Sequence, residues 1–320
     1  MTLKDIYFEK PYARLYEAIE KGSCEVFEFK HPLGSIRHLF IRCELETKLE
    51  GHTYYELKTP YGYGGPMISD CLERDKPVLV KEFQAAFQKY CVEQRIVREI
   101  VRFHPVFSNA EDFRGCYDVS FKRKTTGTNL ELSEDPVQSE FSKSCRRNIK
   151  KALKSGVSFK LTLQPDSLGN FMELYYETMK RNQAEDIYYF DKAYFDKCLA
   201  NLREHILLTE VIYEGKTIGM GINFLYGKLI STHLSGTFEE YHHLSPASIL
   251  QYALTIWGKE NNFTLIHDGG GRTSDPEDSL FLFKKQFGKN TEFSYYIGYK
   301  IWNEEIHREL NKFAQLTQTN

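Results

Sequence analysis

Between residues 157 and 299 strand-like and helix-like patterns alternate almost without a break, and few folds accommodate that order. Residues 157–163 alternate apolar and polar side chains, as a half-buried strand does. Helical spacing follows at 168–181 and 192–203. Three strands rich in β-branched and aromatic residues come next, at 206–213, 217–226 and 229–236, with gaps too short for anything but an antiparallel meander. A helix at 245–261 has Ser245 placed to cap it and Pro246 at its first turn. A strand at 264–268, a short helix at 279–286 and a strand at 293–299 complete the run. The pattern predicts an α/β fold with a mixed, twisted sheet flanked by helices.

The residues before this run predict a shorter version of the same alternation. A helix at 10–21 precedes strands at 25–29, 36–43 and 53–57. A helix at 78–94 carries Val80, Phe83, Phe87, Tyr90 and Cys91 on one stripe, and strands follow at 96–103 and 117–122. The stretch 129–136 is polar and acidic without periodicity, and it predicts a boundary between domains at 1–135 and 136–302. The closing helix, within 303–320, is expected to pack on the first domain. A further helix at 138–155 buries Phe141, Cys145, Ile149, Ala152 and Leu153, and Gly156 suits its left-handed end.

Composition excludes several classes. Apolar residues make up 41% and aromatics 14%, which no disordered chain carries. No apolar run is long enough to span a bilayer. The N-terminus lacks the apolar centre of a secretory leader, and the seven cysteines form no C-x-x-C pair. Scattered thiols without a leader predict a cytoplasmic protein with reduced cysteines. No nucleotide P-loop, G-x-G-x-x-G, H-E-x-x-H or Ser-His-Asp order occurs. His242 and His243 are adjacent, a spacing unsuited to a shared ion, so no metal is expected. The net charge of −2, from 42 basic and 44 acidic residues, hides local asymmetry. Residues 142–160 hold Lys143, Arg146, Arg147, Lys150, Lys151, Lys154 and Lys160 and no acid. Arg146, Lys150 and Lys154 share one helical ridge with Arg147 and Lys151 beside it, and Lys122, Arg123 and Lys124 add charge upstream. Such a run is either a solvated face or a surface that follows phosphates.

Several segments resemble one family: 59–66 (TPYGYGGP), 142–157 (SKSCRRNIKKALKSGV), 176–181 (YETMKR), 233–237 (HLSGT) with 245–247 (SPA), and 268–271 (DGGG) with 280–288 (LFLFKKQFG). In order and spacing they are similar to the FemABX-type peptidyl aminoacyltransferases. The element order is similarly that of the GNAT acyltransferase fold. The resemblance covers most of the chain and is densest from 140 to 300. It implies two tandem GNAT-like domains and transfer of an amino acid from aminoacyl-tRNA to an amine of a nucleotide- or lipid-linked peptidoglycan precursor, with no bound cofactor.

The resemblance also implies roles for particular residues. Phe283 and Lys284 match the Phe-Lys pair that the family places at its reaction centre. Lys284 there meets the negative charge that gathers on the ester oxygen, with Lys285 as its neighbouring rival. Asp268 or Asp278 is a candidate base, substrate assistance being the alternative. Arg181 matches the arginine that holds acceptor phosphates, although the Asn182–Asp186 continuation departs from the family's aromatic-rich pattern. The loop with Tyr61, Tyr63, Gly64 and Gly65 is expected to border the substrate cleft, against the plainer reading of a tight loop with packed tyrosines. His233 is a candidate substrate contact on its strand. Apart from the resemblance, and on their charge and spacing alone, Arg146, Arg147, Lys150, Lys151 and Lys154 are candidate contacts for tRNA or other phosphates. Glu239 and Glu240 occupy the turn where CoA-using relatives hold a diphosphate, which argues against acetyl-CoA or another acyl-CoA as donor. Two other readings stand beside this one: an acyl-CoA-dependent N-acyltransferase acting on a sugar or small metabolite, and a non-catalytic RNA- or glycan-binding GNAT scaffold.

Overall fold

A computed structural model describes residues 5–318. Among these residues lie twelve strands and seven helices of seven residues or more. In chain order they are β1 (Gly22–His31), β2 (Gly34–Glu44), β3 (Tyr55–Lys58), β4 (Met67–Ser69), α1 (Lys76–Glu93), β5 (Ile96–Arg102), β6 (Asp118–Asn129), α2 (Lys143–Lys154), β7 (Ser158–Leu163), α3 (Phe171–Arg181), α4 (Lys192–Leu202), β8 (Ile206–Tyr213), β9 (Lys216–Tyr226), β10 (Leu229–Thr237), α5 (Pro246–Glu260), β11 (Leu265–Gly270), α6 (Ser279–Lys285), β12 (Glu292–Ile301) and α7 (Glu304–Gln318). They form two compact units. One contains 7–122 and 294–318, the other 5–6 and 123–293.

In the first unit β1, β2, β3, β5 and β12 are neighbours in that order, with the short β4 paired to β2. Its core is aromatic: Phe40, Phe83, Phe87, Phe103, Phe113 and Trp302 are all buried. At its centre lies Glu99, wholly buried, which accepts from His38 Nε2 (2.5 Å), Tyr117 Oη (3.0 Å) and Trp302 Nε1 (2.9 Å). Three donors compensate a carboxylate that could not otherwise leave water. The C-terminal helix α7 contacts β5 of this unit.

In the second unit the order is β6, β11, β10, β9, β8, β7. β7 to β10 form the antiparallel meander, and β10 and β11 run parallel, joined by α5. The stripe Phe141, Cys145, Ile149 and Ala152 of α2 packs with Ile249 and Leu250 of α5 over Val211 and Ile218. α3 lies against β9 and β10, so close that a methyl group on Gly236 would strike the Leu174 carbonyl.

The division falls at 122/123 and 293/294, whereas the sequence predicts 135 and 302. β6 runs on to Asn129, through Thr125, Thr126 and Thr128, whose hydroxyls bond His267 and the carbonyls of Gly288, Thr291 and Phe287. The acidic stretch after it is a turn within the second unit. Helix 138–155 is two pieces, Pro136–Glu140 and α2, because Asp135 caps the first (Gln138 N, 2.9 Å) and Ser142 the second (Cys145 N, 3.2 Å), with Phe141 extended between them. Ser245 does not cap α5; it adopts a left-handed conformation with φ 53° and makes no side-chain cap bond.

Candidate functional site

The site begins where β10 and β11 part. They pair only from Leu229–Ser231 to Leu265–His267. Immediately beyond, each strand is bulged against its other neighbour, β10 between Thr232 and Leu234 and β11 between His267 and Gly269. A bulge adds a residue and turns its side chain out of the alternation. The two residues so displaced are His233 and Asp268. Parallel strands that separate at their carboxyl ends leave a crevice there, the usual place for a ligand in such sheets.

Asp268 is 5% exposed. Its Oδ2 accepts from Gln251 Nε2 at 3.2 Å, and that amide also reaches Thr128 Oγ1 at 3.4 Å. Burial pushes the carboxyl up to about 7, against the pull of Lys284 and of hydrogen bonds from Gln251 and Thr232. Lys284 extends from α6 and donates to the Gly270 carbonyl at 3.0 Å. Burial lowers its affinity for a proton; Asp268 opposes that and Arg123 reinforces it. Arg123 Nη1 donates to the Gly271 carbonyl at 2.5 Å. One acid and two bases thus converge on the end of β11. Phe283, beside Lys284, is 36% exposed and meets Phe287 edge-on.

Asp278 serves the helix and not the proton. Its Oδ1 accepts from the backbone of Leu280 and Phe281, and its Oδ2 from the backbone and hydroxyl of Thr273 and the backbone of Arg272. Partial burial alone would raise it, but these donors hold it down at about 2. A carboxylate so satisfied is a poor base, which corrects its place among the candidates. It fixes the start of α6 and thereby aims Lys284. Lys285 turns elsewhere, to Glu292 at 2.6 Å and the Gly288 carbonyl at 3.0 Å.

His233 is neutral, since burial lowers it to about 3. Its Nε2 meets Tyr194 Oη at 2.7 Å, and its ring lies 4.7 Å from that of Phe224. Arg181 closes α3 onto the end of β10 through the Thr237 carbonyl (3.0 Å) and the hydroxyls of Thr237 and Thr178. It is half-buried and anchored, with His242 Nε2 3.4 Å from the same Thr237 hydroxyl.

The remaining candidates lie apart from this cluster. In the first unit, Gly64 and Gly65 are buried, and the Gly64 amide is committed to the Arg102 carbonyl at 2.8 Å. Asn109 clamps the loop through the Gly64 and Pro66 carbonyls. Tyr61 stacks on Tyr16, and Tyr63 packs against Tyr7, His104 and Tyr295. The Gly64 amide is thus turned inward, and the loop is a packed one, the plainer of the two readings of its sequence. In the second unit, Arg146 bonds the Gln138 and Phe141 carbonyls. Lys143, Arg147, Lys150, Lys151 and Lys154 are exposed, and among the described residues none makes an ion pair.

Sequence reasoning passed over Gln251 and Tyr194 and saw Arg123 only as charge. Gln251 left a signal: it is polar on the apolar stripe of α5 between Ile249, Leu250, Ala253 and Leu254. Among the described residues no group of His, Cys, Asp and Glu is disposed to hold a metal, and no helix is long and apolar enough to cross a membrane.

A meander, a crossover helix and a parallel pair that parts at bulges define the GNAT class of acyltransferase folds. Residues 139–275 match the family model described as an acetyltransferase (GNAT) domain. Over 101 residues the chain is 31% identical to the UDP-N-acetylmuramoylpentapeptide-lysine N(6)-alanyltransferase of Weissella viridescens. That similarity spans 31% of this chain and 30% of that protein, so the chain spans under a third of the length of the curated relative it matches. The crystal structure of FemX superposes with a TM-score of 0.71 at 14% identity, covering 95% of this chain and 94% of that one. L-PGS from Bacillus licheniformis gives 0.53 at 15% identity, covering 93% and 94%. Residues 139–275 thus resemble a GNAT acetyltransferase domain, and the fold of the chain is that of the FemX structure.

Proposed function

We propose that this protein is an aminoacyltransferase, moving an amino acid from aminoacyl-tRNA to an amine of a peptidoglycan precursor. The observation that carries the reading is the Asp268–Lys284 pair at the parting of β10 and β11. Attack of the acceptor nitrogen on the ester carbonyl forms a C–N bond and places a negative charge on oxygen. Lys284, donating from a partly buried position, stabilises that charge. The nitrogen must shed a proton, and Asp268, poised near neutrality, accepts it. Collapse expels the ribose oxygen, which takes up a proton as the ester C–O bond breaks. Exposed Glu239 and Glu240 precede α5, where they would repel a CoA diphosphate, and this favours an RNA-borne ester over a thioester. The names of the alanyltransferase relative and of FemX support the reading. The GNAT domain match favours a second reading, N-acyl transfer from an acyl-CoA.

The test is radiolabelled transfer to a lysine-containing precursor, with charged tRNA set against acetyl-CoA as donor. Product from charged tRNA, reduced about 10²-fold or more in Lys284→Ala with an unchanged circular dichroism spectrum, is expected. Product from acetyl-CoA alone selects the second reading. Undiminished turnover in Lys284→Ala removes the lysine from the reaction.

A further inference from the structure

Beside α2 runs a groove of about 430 Å³, lined by Val137, Ile149, Leu153 and Tyr252 on its apolar side and by Arg146, Lys150 and Lys154 along one edge. Lys150 and Lys154 are exposed without an acidic partner, and Lys143, Arg147 and Lys151 continue the charge around the helix. Five unneutralised cations on a twelve-residue helix form a local field that the net charge of −2 conceals. The helix has a defined origin. The Ser142 amide donates to the Gln286 carbonyl at 2.8 Å, and the Phe141 ring lies 5.4 Å from that of Phe287. Its N-terminus is therefore fastened to Gln286 and Phe287, just past the Lys284–Lys285 end of α6, and it runs from there for about 18 Å.

An aromatic ring and apolar floor beside a line of lysines is the combination that binds single-stranded nucleic acid. Bases stack on the ring, and phosphates follow the charges. A purely apolar partner would waste the lysines, and a purely anionic one the floor. We propose that α2 and this groove hold the single-stranded end of the donor RNA, a base against Tyr252 and phosphates on Lys150 and Lys154, and lead its acylated terminus toward Lys284. This inference rests on the aminoacyl-tRNA reading and adds the surface that engages the donor.

Binding of uncharged tRNA and of a single-stranded RNA dodecamer to the full chain is measured by anisotropy across a salt series. The double variant Lys150→Ala/Lys154→Ala should lower the slope of log K against log salt by about 1.4, the share of two phosphates on a single strand. Tyr252→Leu should weaken binding roughly tenfold with the salt slope unchanged, and Tyr252→Phe should restore it. Transfer is then assayed from charged tRNA and from a minimal donor, the aminoacyl ester of adenosine. The variants should lose turnover with charged tRNA and keep it with the minimal ester. Equal turnover ratios for the two donors in wild type and variants, or an unchanged salt slope, overturn the surface. Binding to vesicles of anionic phospholipid with none to either RNA overturns it in favour of a membrane contact. Transfer from neither ester would instead defeat the aminoacyl-tRNA reading itself, so the two failures are distinguishable.

Discussion

Asp268 is held against its own chemistry, and that has a measurable cost. Its carboxyl titrates at about 7 in the folded chain and near 3.9 in an unfolded one. Between those values the unfolded chain has released a proton that the folded chain keeps. Stability contributed by this group is thus complete below about pH 4 and is lost as pH rises toward 7. Asp268→Asn should remove that loss, so that urea midpoints of variant and wild type converge at low pH and separate in the variant's favour by pH 7. The difference should change by no more than about 1.4 kcal/mol per pH unit, the limit for one proton. A constant offset between the two would show that the carboxyl does not titrate in this window. Activity should move oppositely: kcat/KM rises through pH 7 in wild type, and Asp268→Asn flattens the profile. The residue types of this site were legible in the sequence, but their roles were only partly so. Asp268 and Asp278 are two carboxylates in one glycine-rich neighbourhood. Only the donors around each separate a group poised to exchange a proton from one that caps a helix. Asp278→Ala should cost about 1 kcal/mol as a lost cap and lower turnover by loosening α6.

At the scale of elements, the site depends on how closely α3 and β10 approach. Gly236 faces the backbone of Leu174, so a methyl group there has only carbonyl and amide atoms to displace. Gly236→Ala should destabilise the chain by about 1–3 kcal/mol, read from the urea midpoint, and reduce transfer by shifting Arg181 and the end of β10. A variant as stable as wild type would mean that helix and strand can separate freely. The meander was legible because each of its strands carries enough β-branched and aromatic residues to declare itself, and β8 to β10 fall within a residue of expectation. The second half of β6 was not. Lys124-Thr-Thr-Gly-Thr-Asn129 reads as polar loop, and its strand character comes from carbonyls and His267 donated by distant parts of the chain. The bulges were equally silent, since a bulge is a relation between two strands and leaves no periodic trace in either.

On the scale of the whole molecule, the chain leaves its first unit at residue 122 and returns to it at 294. The return is secured by Trp302, buried to 1% and donating to Glu99, with its own amide bonded to the Val97 carbonyl at 2.8 Å. The sequence suggested that the end of the chain belongs with its beginning, but the acid that receives it was hidden in the strand pattern of β5. Glu99 looks there like one more solvent-facing position. Trp302→Ala should cost about 3–5 kcal/mol for the lost ring. Trp302→Phe keeps most of the ring and removes the N–H, leaving Glu99 with two donors, and should cost about 1–3 kcal/mol. Hydrogen exchange distinguishes the two effects. Amides of Arg98–Arg102, which pair with β12, should lose protection in both variants in the order Ala before Phe, while the pairs of β8 with β9 keep theirs. Wild-type protection in Trp302→Phe would show that His38 and Tyr117 suffice to hold the carboxylate, and that the tryptophan secures the chain's return by volume alone.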